Sequence, residues 1–261
     1  MQKPAIRLII IGDEILSGRR QDKHFSHIVS LLKVRGLKLK SAQIISDAPT
    51  DIEQALAQSF ATDDIVFSCG GIGATPDDRT RQAAAAALGL DLALHPEAAA
   101  LITERTQDQA GPEVRIDMST PENQQRLEMG VFPLGAEIVP NPYNKIPGFF
   151  IKNHTFTPGF PVMAWPMIEW VLDNKYPHIQ HKEQHTEYSF VVFSLPESRI
   201  VPALLELERR WPNVQAFSLP SMGEAGHKPH IELGVKGDPI ACAAAIAYLR
   251  EQALALGAAL Q

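Results

Sequence analysis

The chain predicts an α/β protein with a mainly parallel sheet, followed by a small α+β unit. Three observations carry this. Apolar runs alternate with helix-period segments from the N-terminus onward, the order that parallel strands and crossover helices produce. The runs "IRLIIIGDE" and "DDIVFSCGG" are almost continuously apolar, as strands covered on both faces require. Past residue 186 the order becomes strand, helix, strand, strand, helix over about 75 residues, which suits a two-layer β-α-β-β-α unit.

Element by element, "IRLIIIGDE" is a strand ending in a polar turn, and "DKHFSHIVSLLKVRG" is a helix with Phe25, Ile28, Val29 and Leu32 on one face, stopped by Gly36. "KLKSAQIISD" alternates as a strand, and "TDIEQALAQSF" opens with the Thr50–Glu53 spacing of a capping box. After the strand "DDIVFSCGG", Thr75, Pro76 and Asp78 predict a helix start, and Gly89 a helix end. "QAGPEVRIDMS" is an exposed connection and "TPENQQRLEM" a short helix. "AEIVPNP" and "FFIKNHTFTPG" are strands joined by a turn, and "VMAWPMIEWVLDN" is a helix in which Pro166 marks a kink or a late start. These elements give a first domain over 1–175, a polar linker over 176–185 and a second domain over 186–261. In the second domain Ser194 and Glu197 have capping-box spacing, and Asp238 before Pro239 caps the last helix.

The 261 residues carry a formal net charge of −6 with 45% apolar side chains, the composition of a soluble globular protein without a broad nucleic-acid surface. The two cysteines, Cys69 and Cys242, are too far apart to suggest a disulfide framework or metal-type spacing, which fits a reducing cytoplasm. The N-terminal apolar run is too short for a signal peptide, and no run approaches the roughly 20 apolar residues of a membrane span.

The chemistry centres on "GGIGATPDDRTR", Gly70 to Arg81. It lacks the Lys-Ser/Thr end of a Walker loop and the third glycine of a dinucleotide fingerprint. What remains is a strand, a glycine turn and a helix whose first amides face the turn, an arrangement that binds anions. Asp77 and Asp78 oppose a bare anion. A divalent cation such as Mg²⁺, bridging one of them to a pyrophosphate, reconciles the two. The alternative is a structural turn whose aspartates only complement the helix dipole. Asp13 and Glu14 follow the first strand and Asp47 the second, so Asp13, Asp47 and Asp78 are expected to converge at the carboxyl edge of the sheet, where ligands bind.

The segments "IIIGDEILSG", "ISDAPTDIEQAL", "GGIGATPDDRTRQA", "ENQQ", "PNPYNKIPG" and "TPGFPVMAWPM" together resemble the molybdopterin-binding domain of the competence/damage-inducible protein A (CinA) family, itself similar to the MoaB/MogA-like enzymes of molybdenum-cofactor biosynthesis. The resemblance covers roughly residues 4–172, and the unit that follows is similar to the family's small α+β module. It implies a three-layer α/β/α domain and a phosphate-bearing ligand, molybdopterin or a nucleotide. It also implies one of two roles: metal-dependent hydrolysis of a nucleotide pyrophosphate of the ADP-ribose or FAD type, or non-catalytic binding in cofactor assembly. By motif, Gly70, Gly71, Gly73 and Thr75 would face the phosphates, Asp78 and Thr80 would hold metal or position the attacking group, and Asp13, Glu14 and Asp47 would complete an acidic rim. Relatives of this kind form dimers or trimers, so a homo-oligomer is expected. The family's deamidase domain does not fit within the chain, and no deamidase activity is expected. Two departures bear on the site. A Gly-Thr pair is replaced by Asn144-Lys145, where Lys145 could add a charge for a phosphate, and an expected glutamate is Met163.

Other candidates have plainer readings. His178, His181 and His185 suit a flexible linker, and His227 and His230 a loop. His24 and His27 suit a solvated helix start, while Trp165, Trp170, Met163 and Met167 suit packing. Cys69 suits a buried thiol.

Overall fold

The computed structural model describes residues 4–180, 186–223 and 228–261, so His181, His185 and His227 lie outside the described residues. The chain divides into two compact units, Met1–Gln180 and His181–Gln261.

The first unit runs β1 (Ile6–Ile11), α1 (Asp13–Leu16), α2 (His24–Val34), β2 (Leu39–Ile45), α3 (Pro49–Phe60), β3 (Ile65–Cys69), α4 (Thr80–Leu88), β4 (Leu92–Leu94), α5 (Pro96–Ala110), α6 (Pro121–Leu127), β5 (Val131–Pro133), β6 (Glu137–Val139), β7 (Gly148–Ile151), β8 (His154–Thr157) and α7 (Pro161–Lys175). Its main sheet has the order β2-β1-β3-β8-β7-β6, with β2, β1, β3 and β8 parallel and β7 and β6 antiparallel to their neighbours. β4 and β5 form a separate antiparallel ribbon. One face of the main sheet buries Leu8, Ile10 and Phe67 against α2 and α7; the other buries Ile9, Val66 and Phe156 against α3, α4 and α5. This is a three-layer α/β/α domain. The alternation of core residues along β1 shows why its apolar run is continuous: both faces are covered.

Several local expectations are revised. α2 buries His24, Ile28, Leu31 and Leu32, while Phe25 and Val29 stay exposed. The segment "FFIKNHTFT" is a hairpin rather than one strand, because Lys152 and Asn153 both take positive φ (45° and 60°) and form a tight two-residue turn. Pro166 lies inside α7. α3 begins at Pro49, ahead of Thr50, and no side chain caps it. Tyr176 is buried in the first core and Ile179 packs on it, so the start of the polar segment belongs to the first unit.

The second unit comprises β9 (Thr186–Phe193), α8 (Glu197–Arg210), β10 (Val214–Ser221), β11 (His230–Gly237), α9 (Pro239–Ala255) and β12 (Ala259–Leu260), in an antiparallel sheet of order β10-β11-β9-β12. Both helices pack against Phe190, Val192, Leu233 and Val235. Asp238 caps α9 by accepting from the Ala241 amide at 2.9 Å, whereas the Ser194–Glu197 box does not form and Glu197 accepts the Ser218 hydroxyl instead.

One buried polar group ties the sheet of the first unit to α3. His154 is fully buried, with Nδ1 2.7 Å from the Lys152 carbonyl and Nε2 2.7 Å from the Ser59 hydroxyl. The carbonyl can only accept, so Nδ1 carries the proton and Nε2 accepts from Ser59. Burial pushes the imidazole down from 6.5 to about 4. The unfolded chain therefore takes up this proton first. Stability from His154 is complete above pH 6.5 and is lost as the pH falls from there through about 4. Thermal unfolding between pH 7 and 4 should show this slope, and His154→Gln should flatten it.

Candidate functional site

The sheet's order places a crevice between β1 and β3. β2 lies on one side of β1 and β3 on the other, with α2 and α3 on opposite faces, so the strand order reverses there. The turns that leave β1 and β3 form its rim.

The turn after β3 is glycine for steric reasons. Gly70 and Gly71 take φ values of 113° and 70°, conformations costly for other residues. A Cβ at Gly70 would strike the Ile11 carbonyl, one at Gly71 the Thr80 hydroxyl, and one at Gly73 the Asp78 carboxylate. The helix beyond begins at Thr80, not at Thr75. The Asp78 carboxylate accepts from both the Thr75 amide and its hydroxyl, and the Asp78 amide donates to the Thr75 carbonyl, closing a separate small turn. The Thr80 amide donates to the Gly71 carbonyl at 3.0 Å, so the first amide of the helix has a partner within the turn. The amides of Gly71, Ile72, Gly73 and Ala74, by contrast, have no acceptor among the described residues, while the Gly70 amide is held by the Thr157 carbonyl at 2.9 Å. Thr80 is fully buried, and its hydroxyl donates to the Gly70 carbonyl at 3.1 Å. It braces the turn from beneath.

The carboxylates gather in part. The Asp13 amide donates to Asp47 at 2.8 Å, and the Asp47 amide returns the contact to Asp13 at 3.4 Å, which ties the ends of β1 and β2 together. Glu14 folds back over Gly12. Burial raises the Asp47 carboxyl above its usual value; the Asp13 amide opposes this, and the charges of Asp13, Glu14 and Asp77 add to it. Asp78 does not join this pair, being held by Thr75. Among the described residues no three His, Cys, Asp or Glu side chains are grouped to hold a metal ion. Of Asp13, Asp47 and Asp78, the first two are in contact and the third is bonded to Thr75.

Residues outside the glycine motif complete the turn. Arg81 is buried, and its guanidinium donates to the carbonyls of Gly73 at 2.7 Å and Glu128 at 2.6 Å. Burial opposes its charge, and Asp78 and Glu128 partly offset that at longer range. Gln125 donates to the Ala74 carbonyl at 2.8 Å. A lone arginine opening the alanine-rich run "RQAAAAALG" is the signal that could have marked Arg81. The ENQQ segment carries Gln125, but its sequence does not say which loop it braces. His24 is also buried, not solvated. Its Nε2 lies 3.1 Å from the Gly159 carbonyl, and its ring lies beside Cys69, itself buried at the end of β3. The Cys69 sulfur accepts from the Thr157 hydroxyl at 3.5 Å.

The two departures have their own partners. Lys145 pairs with Glu104 and Asp108 of α5, both at 2.6 Å. Asn144 accepts from Asn141 and from the Ile146 amide, and donates to the Met163 sulfur at 3.7 Å. The charge of Lys145 is thereby met by α5, and Met163 packs on the first core.

A three-layer domain with a glycine turn at the switch point of its sheet is the class of protein these features define. Residues 7–181 match the family described as probable molybdopterin binding domain, and the chain belongs to this family. A protein of Caldivirga maquilingensis is 31% identical over 207 residues, covering 77% of this chain and 76% of its own length. A CinA-like protein of Anaeromyxobacter dehalogenans is 28% identical over 260 residues; the match covers 96% of this chain but only 59% of that protein. The crystal structure of CinA, of unknown function, from Thermoplasma acidophilum is 25% identical with a TM-score of 0.55, covering 65% of this chain and 98% of its own.

Equal substitutions at different glycines should carry unequal costs. Gly89 also has positive φ, but its Cβ would meet open space. Gly89→Ala should cost about 1 kcal/mol, and Gly71→Ala roughly 2 kcal/mol or more, in urea unfolding.

Proposed function

We propose that the chain binds the phosphate end of a pterin-type or nucleotide ligand on the turn after β3. One observation carries this reading: four consecutive amides, Gly71 to Ala74, without an acceptor among the described residues, at the switch point of the sheet. Successive amides in a tight turn form a concavity suited to anions, and Arg81 adds a fixed positive charge behind it. The family's description supports a pterin as the ligand class. In this reading Gly70 and Thr80 shape the turn and Asp78 fixes it through Thr75; all three are positioning residues. Lys145 acts at the loop it ties to α5.

A second reading, metal-dependent hydrolysis of a nucleotide pyrophosphate such as ADP-ribose or FAD, is favoured by the crowding of Asp13, Glu14, Asp47 and Asp77, which a cation such as Mg²⁺ would relieve.

Calorimetric titration of the full chain with ADP-ribose and inorganic pyrophosphate, with and without Mg²⁺, tests both. Binding is expected without the metal. Asp78→Asn keeps an acceptor for Thr75 while removing a negative charge near the anion, so it should tighten binding about threefold at low salt. If neither compound binds, the proposal fails. Mg²⁺-dependent cleavage of ADP-ribose that Asp78→Asn abolishes would establish the second reading.

A further inference from the structure

We infer that the outer edge of β2 is a self-pairing surface: β2 of a second copy of this chain docks antiparallel along it, about a two-fold axis at Gln43.

β2 is an end strand of the main sheet and pairs with β1 alone among the described residues. Its Ile45 carbonyl accepts from the Gly12 amide on the β1 side. Alternate residues of a strand turn their backbone groups to opposite edges, so Ala42 and Ile44 present N–H and C=O outward. Nothing among the described residues meets them. A free edge of this kind is a template for another strand unless charge, proline or a bulge protects it. Here the protection is confined to the start of the strand: Lys38 and Lys40 are exposed, and the register with β1 slips at Lys40. From Ser41 to Ile45 the strand is regular, uncharged and free of proline, and Ile44 is left 43% exposed. Beside it a groove of about 540 Å³ separates β2 from α3, lined by Gln43, Gln54, Gln58 and by Leu16, itself 54% exposed.

Self-complementary charge selects a second copy as the occupant. The strand is basic where it begins, at Lys38 and Lys40, and acidic where it ends, at Asp47 and at the Asp51 that accepts the Ser46 hydroxyl. Among the described residues Lys40 meets only Asp64, at 3.7 Å, and Arg7 already holds that carboxylate. An antiparallel copy sets each basic start beside the other's acidic end, whereas a parallel one opposes like charges. A two-fold contact also brings the residue at its axis against itself. Gln43 suits that place, because an amide both donates and accepts while a charge repels its own copy. With the axis there, Ala42 of each copy exchanges backbone bonds with Ile44 of the other. The second copy's lysines then flank Asp47 and Asp51, at the rim where the crowding of Asp13, Glu14 and Asp77 bears on Asp47.

Sedimentation equilibrium of the full chain, at up to about 100 μM, should show twice the chain mass. Gln43→Lys and Gln43→Glu, both at an exposed position, should each weaken self-association about tenfold or more, by opposing like charges across the axis. Mixed in equal amounts the two variants should associate again, because opposite charges then meet. Recovery on mixing also shows that both are folded. Raising salt from about 0.05 to 0.5 M should weaken the wild-type association by screening the lysine–aspartate contacts. A monomer throughout the concentration range overturns the inference. So does a dimer that neither variant weakens, which puts the contact on another face, or an association that salt leaves unchanged. Loss in both variants without recovery on mixing overturns it as well, since residue 43 then does not face itself.

Discussion

The site depends on a lack of room. Where the chain leaves β3, the Ile11 carbonyl, the Thr80 hydroxyl and the Asp78 carboxylate occupy the positions that side chains at residues 70, 71 and 73 would need. Each contact ties the turn to a different element: the end of β1, the start of α4 and the loop between. The turn is therefore positioned by backbone packing, and its middle amides have no acceptor among the described residues.

Charge is layered around this turn. Arg81 sits behind it, buried and bonded only to carbonyls among the described residues, so its charge is not cancelled at short range. Carboxylates from β1, β2 and the tip of the turn surround the crevice, and Asp47 registers the resulting repulsion. The reciprocal contacts of Asp13 and Asp47 extend the pairing of β1 and β2 past the last residues of the ladder. Acidity at the rim thus has a structural use in addition to any electrostatic one.

The elements set by short-range chemistry were legible in the sequence. The glycines after β3, the stops at Gly36 and Gly89, the doubly covered strands and the Asp238 cap all follow from local rules. What was not legible depends on partners distant in the chain or on competition between neighbours. Thr75 has the chemistry of a helix cap, but the Asp78 carboxylate captures it and the helix starts five residues later. His24 follows a polar stretch and resembles a surface residue, yet Gly159, 135 positions away, draws it inward. Lys145 suggests a phosphate ligand until α5 supplies two acids for it. The Lys152–Asn153 turn lacks the glycine that usually announces such a hairpin.

The Lys145 clamp differs in kind from the glycine turn. Its three side chains are all substantially exposed, so dissolved ions weaken their attraction, whereas steric exclusion is indifferent to ionic strength. A rise in salt therefore loosens the tether between α5 and the loop ahead of β7 without disturbing the glycines. The domain holds one connection that responds to its solvent and another that does not.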